Sequence, residues 1–294
     1  MQAQVPGESA CVPGAHVLGY LQSGAPGGVP FFFFHGYGGS RLSAHPDGSI
    51  AARIGVRVIA LDRPGIGYSS FQPGRTLLDW PDDVAALADQ LGIERFAVLA
   101  HSWGSPYALA CAYKIPQRLI GVGVASGVPP LTDPDAMPNL PDRLARLAQM
   151  AQRSPWRMRS ELWLQSRRAR QNPTQVYEDD LRATTGPDRA VMSDPALRAM
   201  FISADVEPFR EGITGMYWDR IIPTREWGFR LRDITMPVHL WYGEQDASVS
   251  PAVGQYLAEQ MPHAQLTVMP DAGHLLIYSH WGEILAALTG GASR

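Results

Sequence analysis

A serine hydroxyl is a weak nucleophile at neutral pH, and it needs a base within hydrogen-bond reach and a third group to orient that base. One serine of this chain stands where such chemistry is done. The apolar run Phe96-Ala97-Val98-Leu99-Ala100 reads as a buried strand, Ser102 follows within two residues, and an Ala- and Leu-rich helix pattern begins at once. Strand, serine, helix is the order of a nucleophile elbow, in which the serine sits on a strained turn and its neighbours two before and two after must be small. Ala100 and Gly104 meet that need. The N–H of Trp103, at the start of the helix, would then face a developing oxyanion. A serine in this place could also simply cap the helix, so the reading depends on its partners.

A base should come from a loop at the carboxyl end of a strand, where sheets of this type collect their active sites. Of the histidines, His239 lies inside a predicted strand, His263 precedes one, His280 opens a helix, and His16 and His45 have no placement of this kind. His101 adjoins the serine, but on an elbow its side chain diverges from that of Ser102. His35 ends a strand beside a glycine turn, where its backbone matters more than its ring. His274, in Pro270-Asp271-Ala272-Gly273-His274, remains as the base. For the orienting acid, Gly243-Glu244-Gln245-Asp246 follows another strand. Asp246 is favoured over Glu244 because a carboxylate that orients an imidazole should reach inward from the far side of its loop.

The elements that would carry these loops are legible as apolar runs. Pro30 to Phe34, Val56 to Leu61, Phe96 to Ala100, Leu119 to Ala125 and Val238 to Tyr242 read as strands covered on both faces, with His16 to Leu21 as an edge strand and Gln265 to Met269 as the last strand. Helical patterns alternate with them: Val84, Leu87, Ala88 and Leu91 share one face, as do Val253, Tyr256 and Leu257, and Trp281, Ile284, Leu285 and Leu288. The alternation calls for right-handed crossovers and a mostly parallel sheet flanked by helices, an α/β fold. His35-Gly36-Tyr37-Gly38-Gly39 at the end of one strand lets the backbone approach a ligand, which makes Gly36 a candidate for substrate contact. Gly65-x-Gly67 lacks the third glycine and the following helix of a dinucleotide site, and no Gly-Lys-Ser/Thr phosphate loop occurs.

From Gly127 the texture changes. Prolines stand at 129, 130, 134, 138 and 141, helical patterns follow, and Leu140, Leu144, Leu147 and Ala151 share a face. Strand patterns resume only at Val238. Residues 1–126 and 230–294 therefore read as two parts of one core, and 127–229 as a helical cap over the carboxyl edge of the sheet, a device that excludes water and shapes a substrate site. Trp156, Trp163, Tyr217, Trp218 and Trp227 could line an apolar pocket there or pack the cap's own interior.

Composition narrows the function classes. The net charge of −3 over 294 residues gives no reason to expect a nucleic-acid or membrane-surface partner, and leaves a small molecule as the substrate. The first twenty residues show no signal-peptide pattern and no run reaches the length of a membrane span, so a cytoplasmic protein is expected. The two cysteines fit that compartment, with Cys111 on an apolar helix pattern as core filler.

Taken together, these residues resemble the α/β-hydrolase superfamily over nearly the whole chain. His35-Gly36 is similar to its oxyanion turn, Asp62-Arg63-Pro64-Gly65-Ile66-Gly67-Tyr68-Ser69 to its loop after the next strand, and Ala100-His101-Ser102-Trp103-Gly104 to its elbow. Gly243-Glu244-Gln245-Asp246 and Gly273-His274 resemble its acid and base loops. Ala100 departs from the glycine frequent at that position. The resemblance implies a triad of Ser102, Asp246 and His274, an oxyanion hole made by the N–H groups of Tyr37 and Trp103, and acyl transfer with no cofactor or metal. It also implies an ester-cleaving enzyme first. Ser102-Trp103-Gly104-Ser105 is similar to the elbow of prolyl aminopeptidases, whose longer Gly-Gly-Pro-Gly turn is missing here, and the same fold serves lyases, cyclases and small-molecule receptors.

Overall fold

The computed structural model describes residues 7–12, 16–136 and 142–290. One eight-stranded sheet runs through it, made of β1 (Glu8–Val12), β2 (His16–Gly24), β3 (Val29–Phe34), β4 (Val56–Leu61), β5 (Phe96–His101), β6 (Leu119–Ala125), β7 (Val238–Gly243) and β8 (Ala264–Met269). Their spatial order is β1-β2-β4-β3-β5-β6-β7-β8. The pairs β1/β2 and β2/β4 are antiparallel and the rest are parallel.

The strand expected at the edge, His16 to Leu21, is not at the edge. Glu8–Val12 pairs outside it, from Glu8 opposite Tyr20 to Val12 opposite His16. This outer strand is held by its ladder and by Glu8, whose carboxylate accepts from the Tyr20 hydroxyl at 3.1 Å and the Gln22 amide at 2.9 Å. It has little apolar pattern to announce it.

The central strands are apolar on both faces because helices cover both. Phe32 and Phe34 point to the side packed by α2 (Trp80–Gln90), α3 (Ser105–Lys114) and α10 (Pro251–Gln260), while Phe31 and Phe33 meet the helix Trp281–Thr289 and α1 (Gly48–Arg53) on the other. Trp80 stands edge-on to Phe34, and Trp281 edge-on to Phe33. Cys111 is buried in the first of these layers and Cys11 is exposed on β1, both as free thiols.

Between β6 and β7 the chain forms α4 (Asp142–Arg153), α5 (Pro155–Gln171), α6 (Pro173–Ala183), α7 (Gly186–Met192), α8 (Pro195–Val206) and α9 (Thr214–Ile221). These helices share a small interior of Met158, Leu162, Ala169, Phe209, Met216, Tyr217 and Ile221, into which Ile66 of the loop after β4 inserts. The flanks of the interval behave differently. Val128, Leu131 and Ala136 before it, and Ile222 and Trp227 after it, pack into the core beside α2 and α3. The helical layer proper thus occupies 142–221, inside the 127–229 span read from the sequence. Leu144 packs against that same core, whereas Pro138, Leu140 and Pro141, and the side chains of Leu147 and Ala151, lie outside the described residues. No helix among the described residues is long and apolar enough to cross a membrane.

Candidate active site

β5 ends at His101, a single 3₁₀ turn covers Ser102–Gly104, and α3 starts at Ser105. Ser102 has φ 51°, the left-handed region that costs an L-residue strain and recurs at functional turns. That conformation lifts the side chain off the end of the strand. The turn fits only because Gly104 has no side chain, since a Cβ there would meet the carbonyl oxygens of Phe34 and His35 at 2.7 Å each. Ala100, fully buried, is small enough for the approach on the strand side.

His274 comes from the loop after β8 and Asp246 from the loop after β7. The Ser102 hydroxyl lies 2.9 Å from His274 Nε2, and His274 Nδ1 lies 2.8 Å from Asp246 Oδ2. An ionised Asp246 only accepts, so Nδ1 carries the proton and the Nε2 lone pair is left to accept from Ser102. The second oxygen of Asp246 is fixed by the N–H groups of Ser248 and Val249, each at 2.8 Å. Burial by itself would raise this carboxyl, but the hydrogen bond and charge of His274 and the Val249 N–H outweigh it and hold it below the usual carboxylate range. Glu244, its competitor in the sequence, is exposed.

His101 turns away from the serine and supports the His274 main chain instead. Its Nε2 lies 3.0 Å from the carbonyl oxygen of His274. Burial, with the neighbouring His274, lowers its pKa to about 3, so the ring is neutral and can donate to that carbonyl. From the helical layer, Asp188 of α7 accepts the N–H groups of His274 and Leu275. Neither support was visible in the sequence, because each is a contact between distant segments with no local pattern.

A cavity of about 560 Å³ opens over Ser102. Gly36, Tyr37 and Gly38 lie on one side of it beside Ser102 and His274, and Tyr177, Met192, Phe201, Asp180 and Asp205 of the helical layer line much of the other. Gly36 sits hard against the serine, for a Cβ at that residue would lie 3.3 Å from the Ser102 Cβ. Trp103 follows Ser102 in the turn, and its indole is buried under α9, donating to the Asp219 carbonyl at 2.8 Å.

Trp156, Trp163, Tyr217, Trp218 and Trp227, the aromatics singled out in the sequence, do not line this cavity. Trp156 and Trp163 stand 68% and 52% exposed on the outer face of α5, because the inward face is taken by Met158, Leu162 and Ala169. Tyr217 belongs to the interior of the helical layer, Trp218 packs beside it, and Trp227 is in the sheet core. From the helical layer, the aromatic lining comes from Tyr177 and Phe201, on helices that the sequence reading did not resolve.

Comparison with known proteins places the chain in a family. Residues 29–280 match the sequence model described as alpha/beta hydrolase fold. Over 110 residues the chain is 32% identical to a proline iminopeptidase of Neisseria gonorrhoeae, an alignment that covers 36% of this chain and 35% of that protein. The chain spans about a third of the length of the first curated relatives it matches. Among solved structures, a hydrolase from Pseudomonas aeruginosa PA01 superposes over 99% of this chain and 100% of its own with TM-score 0.71 at 19% identity. A thermophilic esterase from Thermogutta terrifontis does so over 96% of both chains with TM-score 0.62 at 23% identity. With the family match spanning most of its length, the chain belongs to the alpha/beta hydrolase fold family.

Proposed function

We propose that this protein is a serine hydrolase that cleaves a carboxylic ester of a small, largely apolar or aromatic substrate through an acyl-enzyme. The observation that carries the reading is the unbroken line from the Ser102 hydroxyl to His274 at 2.9 Å and on to Asp246 at 2.8 Å, with the serine on a left-handed turn. In this reading His274 takes the proton as Ser102 Oγ attacks the carbonyl carbon. The N–H groups of Tyr37 and Trp103 bind the oxyanion, and Asp246 holds the tautomer and stabilises the imidazolium. As the tetrahedral adduct collapses, the imidazolium protonates the leaving alkoxide, and water then repeats the cycle on the acyl-enzyme. The lining residues Tyr177, Met192 and Phe201 supply apolar contact for the acyl or alcohol part. The reading assigns the reaction to the cytoplasm and gives it no cofactor.

A second reading has one specific observation in its favour. Asp180 and Asp205 lie in the cavity wall and would attract a protonated amine, which suits the cleavage of an aminoacyl bond. The likeness to a proline iminopeptidase points the same way.

The decisive comparison is turnover of p-nitrophenyl acyl esters of graded chain length against proline p-nitroanilide, with Ser102→Ala alongside. Ester turnover that falls by a factor on the order of 10⁴ in Ser102→Ala supports the proposal. Anilide turnover exceeding that of every ester would move the assignment to the second reading, and wild-type activity in Ser102→Ala would overturn both.

A further inference from the structure

The Gly36–Tyr37 peptide is gripped from behind. A trans peptide sets its C=O and N–H antiparallel, so whatever fixes the Gly36 carbonyl also fixes where the Tyr37 N–H points. Three donors reach that carbonyl, His35 Nδ1 at 2.8 Å and Arg63 Nη2 at 3.1 Å from buried side chains and, within the turn itself, the Gly39 N–H at 3.3 Å. Arg63 Nη1 donates in addition to the His35 carbonyl at 2.5 Å. One guanidinium therefore spans two successive carbonyls of the turn that leads into Tyr37.

Arg63 is itself held by Asp219 of α9. Nε meets Oδ1 at 2.5 Å and Nη2 meets Oδ2 at 2.9 Å, a bidentate pair. His35, Arg63 and Asp219 are all wholly buried. The same Asp219 also faces the elbow: its carbonyl accepts from the Trp103 indole at 2.8 Å and its Oδ1 from the Tyr107 hydroxyl at 3.3 Å. A single residue of the helical layer thus contacts the supports on both sides of Ser102.

The charge states suit this arrangement. Burial, reinforced by the Arg63 charge, lowers His35 to about 3, so the ring is neutral and its Nδ1 proton can be given to Gly36. Burial would raise Asp219, but Arg63 outweighs it and keeps the carboxyl low and ionised. A pair that served only to seat the helical layer would not need these extra bonds. Apolar residues of similar volume dock two surfaces as well as a buried ion pair does, and often better.

We infer that Arg63 and Asp219 are positioning residues, a clamp through which the seated helical layer aims the Tyr37 N–H at the oxyanion. The inference rests on the proposal that Ser102 is the nucleophile and Tyr37 an oxyanion donor. Its consequence is that cap and core are coupled in catalysis, since the oxyanion hole is held open by a residue of the cap.

The test uses Arg63→Lys and the double variant Arg63→Met/Asp219→Leu. Arg63→Lys keeps a cation opposite Asp219, but an ammonium cannot fork across two carbonyls. The double variant removes both charges and leaves no buried ion unpaired. Three quantities are read: kcat and KM for p-nitrophenyl butyrate, the inhibition constant of an aryl trifluoromethyl ketone, and the thermal midpoint. The ketone adds Ser102 Oγ at its carbonyl carbon, the hydroxyl proton passes to His274, and the resulting oxyanion needs the Tyr37 N–H. In a folded variant kcat should fall by about 10²-fold or more, the scale for losing one oxyanion donor. Ketone affinity should fall by a comparable factor, with KM nearly unchanged. A folded variant of either kind with kcat and ketone affinity within about twofold of wild type would overturn the clamp, because a purely structural pair would move only the thermal midpoint. Ser102→Ala, run beside them, separates the levels. Lost turnover there with an unaffected Arg63→Lys rejects the clamp alone, while retained turnover rejects the serine reading beneath it.

Discussion

Asp188, on α7 of the helical layer, receives in its two carboxylate oxygens the main-chain N–H groups of His274 at 3.0 Å and Leu275 at 2.8 Å. The loop that carries the imidazole is therefore pinned by the helical layer on one side as well as by His101 on the other. The contact also explains Gly273, where an added Cβ would meet Asp188 Oδ1 at 2.3 Å.

Asp188→Ala removes both acceptors and leaves His274 free to drift. Hydrogen bonds to a charged group contribute about 1.5–3 kcal/mol each when buried, and less here because water reaches Asp188, so a loss of about 1–2 kcal/mol in total is expected. With His274 as the proposed base, turnover should fall more than stability suggests, by roughly 10- to 100-fold, since small displacements of such a group are costly. Urea midpoints and kcat on one p-nitrophenyl ester measure the two effects, and a destabilised variant with unchanged kcat would show that the contact only braces the fold.

Ser102 is held at φ 51° for the sake of its position. Ala at a left-handed position pays about 1–2 kcal/mol that Gly does not, while Gly gives back about 0.4–1 kcal/mol through the freer unfolded chain. Ser102→Gly and Ser102→Ala should both be inactive, with the glycine variant more stable by roughly 0.5–1 kcal/mol. Equal midpoints, or a more stable alanine variant, would mean that the elbow stores no strain.

The carboxyl of Asp205, in the cavity wall, is pushed up to about 7 by burial and by the charge of Asp180. An unfolded aspartate titrates near 3.9. Between those values the folded protein keeps a proton that the unfolded chain has lost, so stability falls as pH rises through this window and levels off above about pH 7. Asp205→Asn removes that dependence. The variant should match wild type near pH 4 and gain on it steadily up to about pH 7, after which the gap stays constant. Urea midpoints at unit steps of pH follow the gap directly, and a gap independent of pH would contradict the raised carboxyl.

How far the sequence could be read depended on whether an element announces itself locally. Strands covered on both faces, such as Phe31 to Phe34 and Phe96 to Ala100, are unbroken apolar runs, and the ends of β5 and β7 locate the loops that carry Ser102 and Asp246, whereas His274 follows β8, a half-exposed strand with a weaker pattern. Glu8–Val12 is a half-exposed strand defined by its partner, and no apolar run marks it. In the cap, periodicity identifies helices but not which face looks inward. On α5 the large aromatics Trp156 and Trp163 drew the reading, yet they share the solvent face, and the smaller set Met158, Leu162 and Ala169 makes the buried one. Asp188 and Asp219 act across 86 and 156 residues of chain, on His274 and Arg63 respectively, and no local pattern encodes such pairs.

Gly65 and Gly67 do not make a dinucleotide site in the sequence, and the structure shows what they do instead. Gly65 has φ +84° and lies so close to the cap that a Cβ on Gly215, in the first turn of α9, would fall 1.8 Å from the Gly65 carbonyl oxygen. Gly67, at φ +53°, leaves room for the Asp62 carboxylate. The Gly65–Gly215 contact sets how deeply α9 sits, and α9 carries Asp219 to Arg63, Trp103 and Tyr107. Gly215→Ala is the smallest change that tests this depth. Its methyl group would meet main chain that cannot rotate away, so α9 must lift or tilt, and overpacking of this kind costs about 1–3 kcal/mol. Lifting α9 stretches the Asp219 contacts with Arg63 and Trp103, which should lower kcat by roughly 10-fold or more without abolishing it. Indole fluorescence should report the movement independently, through the changed surroundings of Trp103. If Gly215→Ala keeps wild-type stability, kcat and emission together, the close approach of the two glycines plays no part in seating the cap.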